Sequence, residues 1–245
     1  MSLYRTYILS VMVPLLRTPA YWVPLVVFPS LLYSFFGLPP SQQGSEIANI
    51  LLASWSAFAV IGIGFFQFGV SISQARESKW EDYARTLPAG AAPRFVAQAV
   101  TAILFLAMAL ALLWTVAALA APVSLRLEQY LRLLWVLLLG VIPFVTIGAA
   151  LGYSIPARGA VPIANLLYLP LSYFGGLWLP PQMLPDIVAQ ISPFTPTRQL
   201  GELAWAAVLD SPMPLASIQG LAAYTAGAAV IALTMWRRDE TIKTG

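Results

Sequence analysis

Charge is scarce in this chain, and where it gathers it alternates in sign. Arg76, Glu77, Lys79, Glu81, Asp82 and Arg85 fall within ten consecutive positions. On a helix that spacing gives a solvated face crossed by i,i+3 and i,i+4 pairs. Trp80, Tyr83 and Leu87 supply an apolar face to the same segment, and Pro88 and Gly90 stop it. Such an amphipathic helix docks into another protein; it does not catalyse. Elsewhere the groups that could do chemistry are thin. The chain has no cysteine and no histidine, which removes thiol nucleophiles, thiolate metal sites and the commonest general base. Glu46, Asp186, Glu202 and Asp210 are scattered and read as solvated or helix-capping carboxylates. No GxxxxGK[ST] loop occurs, so the chain holds no nucleotide by that means. The expectation is a protein without chemistry of its own, needing no cofactor or metal in this chain.

The elements that must position the charged segment are apolar. Of 245 residues, 59% are hydrophobic and 9% charged, against about 25% charged in soluble domains. Too few charges remain to cover a water-soluble surface, so the chain is expected to be a single all-α membrane domain over residues 1–245. Residues 1–18 carry an apolar run of about 11 residues between Arg5 and Arg17, too short for a crossing that needs about 20. That run is expected to be retained as a helix in the membrane interface, with Tyr4 and Tyr7 at headgroup level. Six transmembrane helices are expected: Ala20 to Leu38, Ile47 to Ile72, Phe95 to Ala121, Leu131 to Tyr153, Ala160 to Trp178 and Ile218 to Trp236. The polar stretch 73–94 joins the second and third. Between the fifth and sixth, segment 179–215 stays apolar but is broken by prolines, which predicts short re-entrant helices.

Basic residues set the orientation. With both termini cytoplasmic, the inner segments hold ten of the 13 Lys and Arg residues, and the outer ones only Arg126, Arg132 and Arg198. An even number of spans follows. Scattered basic residues give no nucleic-acid surface. Inside the expected spans the most polar groups are amides: Asn49, Gln67, Gln98 and Asn165. A carrier coupled to protons or sodium usually needs an intramembrane carboxylate, so the energy for transport is expected from elsewhere. Gly148 and Gly152 form a spacing that permits close helix contact.

Two segments carry a resemblance. The loop reads Arg76-Glu77, a short helix, then Leu87-Pro88-Ala89. The late block reads Gly176-Leu177-Trp178-Leu179-Pro180, then Met183-Leu184-Pro185 and Pro193-Phe194-Thr195-Pro196. With the topology, these resemble the permease subunits of the ABC type-2 exporters, which move drugs, lipids or polysaccharides across bacterial inner membranes. Where that family usually has Gly-Thr after Arg-Glu, this chain has Ser78-Lys79-Trp80-Glu81. The resemblance implies a pair of separate ATP-binding subunits holding ATP and Mg, and a second permease copy or a paralogue. It also implies contact with the ATPase through Arg76, Glu77, Lys79, Trp80, Glu81, Asp82, Arg85 and Leu87. The pathway is expected between the two permeases, lined by the first, second and fifth spans, with Phe65, Phe66, Gln67, Tyr173 and Phe174 as candidates for its wall or gate. An amphipathic or hydrophobic substrate is expected. The alternative is a carrier or channel acting alone.

Overall fold

The computed structural model describes residues 3–78 and 92–244. All regular structure among the described residues is helical. The helices are α1 Leu3–Leu16, α2 Pro19–Ser41, α3 Ser45–Arg76, α4 Ala92–Ala120, α5 Leu127–Ser154, α6 Ala157–Phe174, α7 Asp186–Ile191, α8 Pro196–Val208 and α9 Leu215–Thr244. Five of them are long and apolar enough to cross a bilayer: α2, α3, the stretch of α4 from Phe95, α5, and α9 as far as Asp239.

The core is built around α3, whose 32 residues extend about 48 Å at 1.5 Å each. Its most apolar stretch is almost entirely buried in protein, because small residues let neighbours approach. A Cβ on Gly148 of α5 would meet the backbone of Gly64, and one on Gly152 would lie 2.6 Å from the Gly69 carbonyl oxygen. Glycine on both partners is what brings the backbones of α3 and α5 together. The α3 stretch Ile63–Val70 that makes this contact is π-helical, as is Tyr33–Gly37 in α2. The expected role of Gly148 and Gly152 is borne out.

Contacts at the two ends give the topology. At one end Arg76 reaches Gly152, Tyr153 and Asp239, and the Ser73 hydroxyl donates to the Ile155 carbonyl at 2.8 Å. At the other, Ser124 N–H donates to Asn49 Oδ1 at 3.1 Å and the Gln129 amide to the Val208 carbonyl at 2.8 Å. Helices α3, α5 and α9 therefore run in one direction. The first end, with Arg17, Arg76 and Arg158, is the basic end; Arg126, Arg132 and Arg198 lie toward the far end.

One crossing departs from the expected single span over Ala160 to Trp178. Helix α6 starts at the basic end, where Ala157 N–H donates to Glu77 Oε1 at 2.8 Å, but ends at Phe174. Gly176 takes φ +72 there, with its N–H bonded to Tyr173 and that of Leu177 to Ser172. This left-handed glycine cap satisfies the last carbonyls and turns the chain. Helix α8 then completes the passage: Thr195 caps its first turn by accepting from Arg198 N–H at 3.2 Å, and its end reaches Gln129. Between them α7 exposes Ile187 and Ile191, consistent with the expected re-entrant segment. Glu202 and Asp210 do not face one another. Glu202 pairs with Arg198 at 2.9 Å, and Asp210 with Arg126 and with Arg132, the latter at 3.1 Å.

Candidate functional site

A cavity of about 360 Å³ lies between α2, α3 and α6. Its wall holds Tyr21, Pro24 and Phe28 from α2, Gly62, Phe66 and Gln74 from α3, and Val161, Asn165 and Tyr168 from α6. Among the described residues no Asp, Glu, Lys or Arg lines it. Local sequence explains the space. Pro24 and Pro29 interrupt the backbone ladder of α2, and Pro162 and Pro170 that of α6. Ala59 and Gly62 keep the facing side of α3 small, and a Cβ on Gly62 would already stand 3.0 Å from the Tyr168 hydroxyl.

The two ends of the cavity differ. Toward the basic end, Ala20, Gln74 and Val161 are exposed; toward the far end, Pro29, Ala59, Gly62 and Tyr168 are buried. Beyond that closed end sits an aromatic cluster. Phe58 stacks on Tyr168 with ring centres 4.5 Å apart, meets Trp55 at 5.2 Å, and lies 6.2 Å from Phe28. Trp178 joins from the segment after α6, 5.6 Å from Trp55 and 5.5 Å from Phe36. The Tyr168 hydroxyl donates to the Phe58 carbonyl at 3.1 Å, fixing α6 against α3. The cavity is thus a pocket with one open end, uncharged walls and an aromatic cap.

One wall is fixed by a buried polar knot. Tyr21 donates to Gln67 Oε1 at 2.5 Å and lies 3.0 Å from Ser71 Oγ, while the Gln98 amide donates to the Gln67 carbonyl. Three helices are joined this way, as amides in membrane bundles commonly do.

At the basic end a second constellation clamps the bundle. The Arg76 guanidinium donates to the carbonyls of Gly152 at 3.1 Å and Tyr153 at 2.9 Å, and pairs with Asp239 at 2.6 Å. It also lies 5.6 Å from the centre of the Tyr153 ring. Glu77 holds the first turn of α6. Arg76 and Glu77, at the threshold of the charged loop, therefore grip α5, α6 and α9 together.

The other sequence candidates separate. Phe66 lines the cavity; Phe65 is buried beside it, 6.3 Å from the Tyr168 ring. Gln67 is buried too, but its amide engages Tyr21 and does not line the cavity. Tyr173 and Phe174 pair with each other at 6.2 Å and line no part of it. Lys79, Trp80, Glu81, Asp82, Arg85 and Leu87 lie outside the described residues. Sequence reasoning missed Tyr21, Phe58, Trp55, Trp178 and Tyr168. Two prolines in each of α2 and α6 were the available signal. Among the described residues no group of three or more acidic side chains could hold a metal ion.

An all-helical bundle with several bilayer-length helices and an uncharged internal cavity defines a multi-pass membrane protein. The chain belongs to the ABC-2 type transporter family, whose model matches residues 5–200. It is similar to the Bacillus subtilis (strain 168) protein YvfS, named as a transport permease, with 26% identity over 204 residues, 83% of this chain and 82% of that one. No solved structure matches it. The protein is a transmembrane transport subunit of an ABC transporter, a class that works with an ATP-binding partner.

Proposed function

We propose that this chain forms the translocation pathway of an ATP-driven exporter of amphipathic or hydrophobic molecules (drugs, lipids or glycans) in a bacterial inner membrane. The observation that carries it is the uncharged cavity between α2, α3 and α6, closed at one end by aromatic rings. Apolar walls with a few hydrogen-bonding groups suit an amphipathic ligand; a small ion would need charges or carbonyl rings. The basic end is cytoplasmic, with both termini there, following the excess of Lys and Arg on that side. Substrate enters from that end, and the cluster of Phe58, Trp55, Trp178 and Tyr168 is the gate that must part for release. A second copy of the chain or a paralogue completes the pathway.

Energy comes from a separate pair of ATP-binding subunits, which hold ATP and Mg. The loop after Arg76 docks on that partner, with Arg76, Glu77, Lys79, Trp80, Glu81, Asp82, Arg85 and Leu87 as the contact segment. The clamp supports such coupling, because a pull on Glu77 acts on the start of α6 and one on Arg76 acts on α5 and α9.

The test is affinity purification of the tagged chain in mild detergent, with mass spectrometry and an ATPase assay. A stoichiometric ATP-binding subunit is expected, with ATP hydrolysis. Glu77→Ala with Trp80→Ala is expected to abolish transport and weaken that association. Intact binding and transport in the double variant would refute the coupling assignment. Transport by the purified chain in liposomes with an ion gradient and no ATPase would establish a carrier acting alone.

A further inference from the structure

Two arginines stand at the open end of the cavity, and neither makes an ion pair among the described residues. Arg17 sits at the corner between α1 and α2, three residues before Ala20 of the wall. Arg158 lies in the first turn of α6. With Val161, Asn165 and Tyr168 of the wall it makes the series i, i+3, i+7, i+10, a single stripe of one helix face. Both arginines are exposed. Arg76 and Glu77 at this end are already engaged. Arg76 is held by Asp239 and two carbonyls, and Glu77 by the start of α6.

Along its length the cavity changes character. At the open end are the positions of Arg17 and Arg158, then the polar wall residues Gln74, Asn165 and Tyr21, whose hydroxyl is held by Gln67. Further in, the wall is Pro24, Phe28, Gly62 and Phe66, ending under the stacked pair Phe58–Tyr168. A ligand matching that gradient has an anionic head, a short hydrogen-bonding neck and an apolar tail. A cationic head would face two like charges there, and a ligand without a tail would leave the apolar end unfilled.

We propose that the cavity takes an anionic amphiphile, a phosphate- or carboxylate-headed molecule with an apolar chain, held tail-first with its head between Arg17 and Arg158. The proposal rests on the cavity being the translocation pathway and adds the charge and orientation of what it carries. Arginine suits the head because its planar fork meets carboxylate and phosphate oxygens in pairs. Its position at the membrane boundary lets an anion keep its water while the tail is withdrawn from lipid.

The experiment uses the full chain in phosphatidylcholine nanodiscs and three photoreactive probes with one common diazirine-bearing alkyl tail. Their heads are phosphate, carboxylate and trimethylammonium. Crosslinked peptides are mapped by mass spectrometry. The phosphate and carboxylate probes are expected to label α2, α3 and α6 near Phe28, Phe66 and Tyr168. The trimethylammonium probe is expected to label them far less. With each arginine contributing about fivefold, Arg17→Gln with Arg158→Gln lowers labelling on the order of twentyfold. Arg17→Lys with Arg158→Lys keeps most of it, which separates charge from misfolding. Equal labelling by all three heads, or no effect of the glutamine pair, overturns the proposal and leaves the pathway standing. Displacement of the phosphate probe by inorganic phosphate alone would make the ligand a free anion and overturn it as well. If no probe labels the cavity and filling it by Gly62→Leu leaves transport intact, the pathway falls and the proposal with it.

Discussion

Gly148→Ala is the sharpest test of the packing that holds the bundle together. The new Cβ would stand 2.7 Å from the Gly64 carbonyl carbon and 3.2 Å from the Gly69 nitrogen, and it would collide with the Gly64 carbonyl oxygen. These are backbone atoms, so no side chain can swing aside, and α3 and α5 must separate. Overpacking of this kind costs about 1–3 kcal/mol. Alanine returns up to about 1 kcal/mol of helix propensity over glycine. The collision with fixed backbone puts the cost at the upper end, so the net loss is about 2 kcal/mol. For a chain of this size that lowers Tm by about 4–8 °C. Gly227→Ala is the matched control, because nothing lies within 4 Å of its Cβ. The assay is thermal unfolding of both variants in the same detergent, followed by fluorescence-detected size exclusion. Gly148→Ala is expected to melt below the unaltered protein and Gly227→Ala at or above it. If the two variants melt together, the close approach of α3 and α5 does not hold this bundle.

Other perturbations follow from the same geometry. Asp239→Asn takes the Asp239 carboxylate away from Arg76, at a cost of about 2 kcal/mol, below the range for fully buried pairs because Arg76 is partly exposed. Thermal melts of Arg76→Ala, Asp239→Ala and the double variant should show the double scarcely worse than either single change. Tyr168→Phe removes one hydrogen bond, to the Phe58 carbonyl, worth about 1 kcal/mol. It should change which substrates are exported while yield and oligomeric state stay constant, as transport assays with several compounds would show. Gly62→Leu places a side chain against the Tyr168 hydroxyl inside the cavity. It should abolish transport in vesicles while the variant still co-purifies with its ATPase.

Much of this protein was legible from composition and order. Nearly charge-free runs of about 20 residues must become helices, because no other single segment satisfies its backbone in hydrocarbon. Hence α2, α3, α4, α5 and α9 fall close to where the apolar runs place them. The spacing of Gly148 and Gly152 pointed to a close contact, since glycine alone removes the side chain that keeps helices apart. The prolines after α6 signalled the short helices that follow it, but that α6 stops at Phe174 and not Trp178 depended on the left-handed turn at Gly176.

Which aromatic faces which helix is another matter. Phe65 and Phe66 are neighbours in sequence, yet one is core and the other cavity wall, because successive side chains on a helix point in different directions. Tyr173 and Phe174 pair with each other at the capped end of α6 and do not line the cavity. The cluster that closes it draws Trp55 and Phe58 from α3 and Trp178 from a segment some 120 residues later, joined by Tyr168. Arg76 found Asp239 across 163 positions. Local pattern fixes whether a residue is helical and whether its surroundings are oily, since both depend on its near neighbours in the chain. The rotation of each helix about its own axis is set by every helix packed against it. Tertiary structure alone therefore decided which side chains share the cavity, the cap and the clamp.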